Sequence, residues 1–113
     1  MDSQESGAPD ITVLVISGRV TIGAGDIDVR ETVQSALASG SRKVVLDMSG
    51  VTKLDSSGIG ELISAYTSVK NRGGKMAIAG LSPRLATVLQ VTQLVGILDL
   101  QDTVAAAVAA VGD

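Results

Sequence analysis

Three apolar runs too short to be helices alternate along the chain with stretches whose apolar residues recur at helical spacing. The runs are Ile11-Thr12-Val13-Leu14-Val15-Ile16, Val44-Val45-Leu46 and Lys75-Met76-Ala77-Ile78-Ala79. Strands that are apolar on nearly every residue are buried on much of both faces. Connections long enough to hold a helix suit crossovers between parallel neighbours. The alternation predicts an α/β fold, a single domain with a small, mostly parallel mixed sheet covered by about four helices.

The segments between the runs carry the helix signals. Val29, Val33, Ala36 and Leu37 fall on one helical face, with Asp26 and Asp28 where caps belong and Ser39-Gly40-Ser41 as the stop. Ile59, Leu62, Ile63, Tyr66 and Val69 form a second stripe, with Glu61, Lys70 and Arg72 off it, and Gly73-Gly74 ends that helix. Ser82-Pro83 opens a third helix that buries Leu85, Val88 and Leu89. A short last strand is expected near Ile97-Leu98, and Asp102 is expected to cap a terminal helix with Val104, Ala105, Val108 and Val111 inward. Gly18 is expected to end the first strand, with Arg19-Val20-Thr21-Ile22 briefly extending its pairing. Asp47-Met48-Ser49-Gly50 reads as a turn. Residues 1–10 read as a flexible polar leader, so the domain is expected over 11–113.

Composition narrows the chemistry. The chain has 113 residues, 45% of them apolar, enough for one core. Phe and Trp are absent and Tyr66 is the sole aromatic, so burial must come from Val, Ile, Leu and Ala. Without Cys there is neither disulfide nor thiolate chemistry, and without His there is no Ser-His-Asp, Cys-His or His-metal arrangement. A net charge of −3 gives no footprint for nucleic acid. The polar N-terminus has no apolar signal region and no apolar run approaches a membrane span, so a cytoplasmic location is expected.

Most of the remaining chemistry is concentrated in Asp55-Ser56-Ser57-Gly58-Ile59-Gly60, at the start of the second helix. Hydroxyls beside free helix N–H groups suit a phosphate or another anion. The same residues also make an ordinary helix start, capped by Asp55 or Ser57. A capping box does not fit, because Gly60 occupies the third position after Ser57 and Glu61 comes one later. Gly58 and Gly60 each cost a helix about 1 kcal/mol relative to Ala, a cost explained if another backbone or a partner approaches closely.

Rival motifs are incomplete. The order is not that of a serine hydrolase, G-x-S-x-G, and no base is present. Asp47 stands where a receiver-type phospho-acceptor would, but Ser17-Gly18-Arg19 at the end of the neighbouring strand offers no acid for Mg²⁺, so Asp47 reads as a turn or cap residue. Gly23-Ala24-Gly25-Asp26-Ile27-Asp28 lacks the lysine of a nucleotide loop and the spacing of a calcium loop. Gly58-Ile59-Gly60 meets Ile63 where G-x-G-x-x-G needs glycine.

Taken together, the strand ending in Gly18, Val44-Val45-Leu46-Asp47, Leu54-Asp55-Ser56-Ser57-Gly58-Ile59-Gly60, Gly73-Gly74-Lys75-Met76 and Leu81-Ser82-Pro83 resemble the bacterial anti-sigma factor antagonists built on the STAS domain. The likeness runs from about Ile11 to the last helix, and the Asp-Ser-Ser-Gly block is its most specific part. The resemblance implies partner switching. The unphosphorylated protein binds an anti-sigma factor that is also a serine kinase, and sigma factor is released. The kinase phosphorylates the serine after the aspartate, Ser56 here, and a phosphatase restores it; Ser57 is then a neighbour and cap. The ATP belongs to the kinase, so this chain is expected to be no enzyme and to need no cofactor. A weak homodimer is compatible with the resemblance. Partner contacts are expected from Asp55, Ser56, Ser57, Gly58, Ile59 and Gly60, together with Arg19 and Thr21. Many members carry Gly-Glu-Leu-Asp where this chain has Gly18-Arg19-Val20-Thr21, which reverses one charge and removes an acid beside the partner surface. Two alternatives within the same resemblance are an accessory subunit of a membrane transporter and a stressosome-like scaffold.

Overall fold

The structure, a computed structural model, describes residues 2–5, 11–90 and 98–112. Among these residues, β1 (Asp2–Glu5), β2 (Ile11–Val20), β3 (Lys43–Leu54), β4 (Lys75–Ala79) and β5 (Asp99–Gln101) form one sheet in that spatial order. β1 is antiparallel to β2 and the other pairings are parallel. The helices are α1 (Asp26–Ala38), α2 (Ser56–Asn71), α3 (Pro83–Gln90) and α4 (Val104–Gly112).

Sequential parallel strands with right-handed crossovers place their connecting helices on one face. On that face Leu14, Ile16, Leu46, Met48, Met76 and Ile78 meet Val29, Val33 and Leu37 of α1, Leu62, Ala65 and Val69 of α2, and Leu85 and Leu89 of α3. The intervening strand residues Ile11, Val13, Val45, Ala77 and Ala79 turn to the opposite face, where Ala107 and Val111 of α4 cover them. Both faces of the sheet are therefore apolar at its centre, which is why its strands read as near-continuous apolar runs. Tyr66 is only half-buried against the main core. Aliphatic packing carries the fold.

Several local expectations shift. β3 does not turn at Asp47-Met48-Ser49-Gly50 but continues to Leu54, and β2 continues through Gly18 to Val20. The pairing steps from Val15↔Asp47 to Ser17↔Gly50, and again between Gly18 and Arg19. The polar and glycine residues thus mark register slips inside long strands, where one strand carries an extra residue. Asp2–Glu5, within the expected leader, pairs as an edge strand; its polar composition gives no strand signal, and the exposed edge of β2 supplies the template.

The last strand lies at Asp99–Gln101, directly after the expected Ile97-Leu98; Ile97 is outside the described residues. In α4 the capping oxygen is Thr103 Oγ1, accepting from Ala106 N–H at 3.1 Å, and not Asp102. Starting one residue later turns Ala105 outward and puts Ala107 in the core. α1 likewise starts behind Gly25, with no side-chain cap, so Asp28 falls inside its first turn.

Leu46 is fully buried at the centre of the sheet. Leu46→Ala is expected to lower unfolding stability by about 2–5 kcal/mol, measured by urea titration.

Candidate functional site

The beginning of α2 is assembled from two distant parts of the chain by Asp55. Its extended backbone makes it the N-cap, and its Oδ1 accepts from Gly58 N–H at 3.0 Å. Oδ2 accepts from Ile22 N–H, also at 3.0 Å. One carboxylate thus satisfies an orphan donor of the helix and clamps the β2–α1 connection to it. The amides of Gly58 and then Ile22, with a smaller part from Ser57, hold the Asp55 carboxyl below its ordinary 3.8. Hydrogen bonds to the charged form have that effect.

The end of β2 is held between two helix starts. A Cβ on Gly58 would lie 2.1 Å from the Val20 carbonyl oxygen, and one on Gly25 would lie 2.1 Å from that of Arg19. Gly58 is thus explained by the approach of another backbone. Gly60 is not: it is exposed, and a Cβ there would meet nothing within 4 Å. Beyond Val20, Thr21 and Ala24 exchange backbone hydrogen bonds at 2.8 and 2.9 Å, closing a turn with Ile22 at its tip.

Ser56 is exposed at the first helical position, and its hydroxyl has no hydrogen-bond partner among the described residues. Ser57 and Ile59 are half-buried, while Gly58 is buried. Ser56 and Gly60 are thus exposed beside the half-buried Asp55, Ser57 and Ile59, with Gly58 packed beneath them, and Thr21 joins this helix start through the Ile22 clamp. Arg19 does not. Val20 and Leu54 point into the core under the helices, so strand alternation turns Arg19 to the opposite face. Asp47 is a turn-type residue within the strand, its Oδ1 accepting from Ser49 N–H at 3.1 Å and Ser49 Oγ–H at 2.8 Å.

Two exposed apolar residues and one ion pair near this helix start escaped the sequence reading. Ile22 and Ile27 are the large apolar residues left exposed among the described ones, at 75% and 50%. The Arg30 guanidinium fixes how α1 lies on α2, with Nε donating to Glu61 Oε2 at 3.0 Å and Nη2 to Glu61 Oε1 at 2.7 Å. One turn before Arg30 is Ile27, and one turn before Glu61 is Ser57, so Ile27 stands level with the start of α2. A signal was present for each. Ile27 falls off the Val29–Val33 stripe, and Ile22 precedes a glycine turn with no strand left to bury it.

The family model for the STAS domain matches residues 4–107. An anti-sigma-B factor antagonist of Listeria monocytogenes is 27% identical over 85 residues, covering 70% of this chain and 75% of that protein. The crystal structure of an anti-sigma factor antagonist from Mycobacterium paratuberculosis superposes with a TM-score of 0.84 at 20% identity, covering 99% of this chain and 94% of the other. The Bacillus cell fate determinant SpoIIAA in its phosphorylated form gives a TM-score of 0.65 at 20% identity, covering 97% and 99%. At these identities the structural likenesses show the fold. Among the described residues, no helix is long and apolar enough to cross a membrane.

The clamp has a pH signature. Because its folded pKa is depressed, Asp55 contributes stability that is fully present above its unfolded value near 3.8 and is lost as pH falls through the lower folded value. Asp55→Asn is expected to melt below wild type at pH 7, with the gap closing as pH falls through that window. A gap that stays constant to the acid limit would remove the charge from the clamp. Gly58→Ala is expected to destabilise as well, since the Val20 carbonyl must move.

Proposed function

The chain belongs to the STAS domain family, and on that premise we propose that it is an anti-sigma factor antagonist switched by phosphorylation of Ser56. Unmodified, it binds an anti-sigma factor that is a serine kinase, and a sigma factor is released. Phosphorylated by that kinase it lets go, and a phosphatase resets it. The chain is a substrate and a competitor in this scheme and contributes no cofactor of its own.

What carries the reading is the contrast between Ser56 and its neighbours. Asp55 is committed by both oxygens and Gly58 by its packing, whereas the Ser56 hydroxyl is exposed with no partner among the described residues. A kinase can reach it without unfolding anything. Phosphate adds about −1.5 to −2 charges at neutral pH. The helix N-terminus accommodates such charge, at a benefit of roughly 0.3–1 kcal/mol. Across an interface, the same dianion beside the Asp55 carboxylate meets like charge or a desolvated surface, where the cost is several kcal/mol. Each ~1.4 kcal/mol is tenfold in affinity, so release requires no refolding. Ile22 and Ile27, the large apolar residues exposed among the described ones, supply apolar contact for the partner.

The test is a pull-down from host lysate with wild type and Ser56→Asp as parallel baits. A kinase-type ATP-binding protein retained by wild type and lost by Ser56→Asp is expected. Ser56→Ala should bind it and resist phosphorylation. Transporter subunits retained equally by both baits would overturn the switch and leave Ser56 a helix residue. Gly60→Ala gives a second check, because its Cβ has room: the helix should gain about 1 kcal/mol while partner affinity falls. A Gly60→Ala variant that binds as wild type would take Gly60 out of the interface.

A further inference from the structure

Arg19 and Lys53 are direct partners in the parallel pairing of β2 with β3. Both are exposed, and because Val20 and Leu54 beside them point into the core, the two cations project together from the opposite face of the sheet. α4 covers that face only around Ile11, Val13, Val45, Ala77 and Ala79, so it leaves the pair open. Neither side chain has a hydrogen bond or ion pair among the described residues. Asp55, the acid nearest Lys53 in sequence, has its oxygens taken by the amides of Gly58 and Ile22.

Like charges directly opposite one another on neighbouring strands destabilise a sheet. The chain has 12 acidic residues against 9 basic ones, yet neither cation is paired with one among the described residues. The fold gains nothing from the arrangement, which points to a use outside it. The pair lies on the other face of the sheet from the serine but at the same end of β2 and β3: the Val20 carbonyl, next to Arg19, packs on Gly58, and Lys53 leads through Leu54 and Asp55 into α2.

We propose that Arg19 and Lys53 together dock a carboxylate-bearing patch on the protein partner that meets Ser56. This rests on the partner-binding reading above. It adds the chemistry of the partner at the rim of that contact: acidic, facing two cations. Two cations are few for a membrane surface, which uses clusters of roughly four to eight, and the net charge of −3 opposes nucleic acid. Charges at the rim of an interface act mainly through association rate and salt dependence.

The experiment compares Lys53→Glu, Arg19→Glu and Arg19→Lys with wild type. Each is melted, and each is titrated at low and high salt with the purified protein that the wild-type bait retains. Both Glu variants are expected to melt above wild type, because the cross-strand repulsion becomes attraction. They should associate with the partner at least about tenfold more slowly at low salt, with the salt dependence largely lost; Arg19→Lys should match wild type. Unchanged association in the Glu variants overturns the proposal, and so does lost binding accompanied by a lower melting temperature, which would report damage. Wild-type binding to phosphatidylcholine–phosphatidylserine vesicles that Lys53→Glu abolishes, with partner association unchanged, would assign the pair to a membrane and also overturn it. If Ser56→Asp binds as wild type while Lys53→Glu does not, the phosphorylation switch fails and the acidic docking contact stands.

Discussion

Asp55 holds together two pieces of chain that the sequence separates. Its carboxylate receives the Gly58 amide on one oxygen and the Ile22 amide on the other, so the cap of α2 and the clamp on the β2–α1 turn are one group. Neither contact would define the site alone. A capped helix without the clamp would leave the turn to its own two hydrogen bonds between Thr21 and Ala24. A clamped turn without the cap would meet a frayed helix end. Joined, they fix an apolar tip, an exposed hydroxyl and a helix N-terminus relative to one another.

This arrangement depends on how closely backbones pack beneath it. The carbonyls of Arg19 and Val20, successive residues at the end of β2, press against Gly25 at the start of α1 and Gly58 at the start of α2. Two helix N-termini, each with partial positive charge, converge on two carbonyl oxygens. The aliphatic core below holds these parts in place, with alternate strand residues under α1, α2 and α3 and the remainder under α4. Because the site is built on strand and helix ends over such a core, the exposed Ser56 side chain can change without disturbing the packing beneath it.

Glycine plays two different parts within one helical turn. Gly58 is required by the chain's own packing, and Gly60, with open space above it, is not. The same division applies to the apolar residues: those at strand and helix spacing are buried, while Ile22 and Ile27 are exposed. Features that intramolecular packing explains and features that it leaves unexplained both occur near the start of α2.

The sequence by itself determined the alternation of strands and helices, the faces of α1 and α2, the bounds of β4, the Ser82-Pro83 start of α3 and the helix start at Asp55-Ser56-Ser57-Gly58. These are written in short-range periodicity and cap chemistry, which nearby residues dictate. Only the tertiary structure decided that β2 and β3 run on through Gly18 and Asp47–Gly50, since a register slip and a turn use the same residues and differ in what pairs alongside. It alone decided that Asp2–Glu5 is a strand, because an edge lends its hydrogen bonds to a segment with no strand propensity of its own. It also decided that Asp55 serves Ile22 as well as Gly58, and that Arg19 meets Lys53 on the far face of the sheet. Those contacts join residues distant in sequence, and their partners are chosen by the register and packing of the whole sheet, which no local pattern encodes.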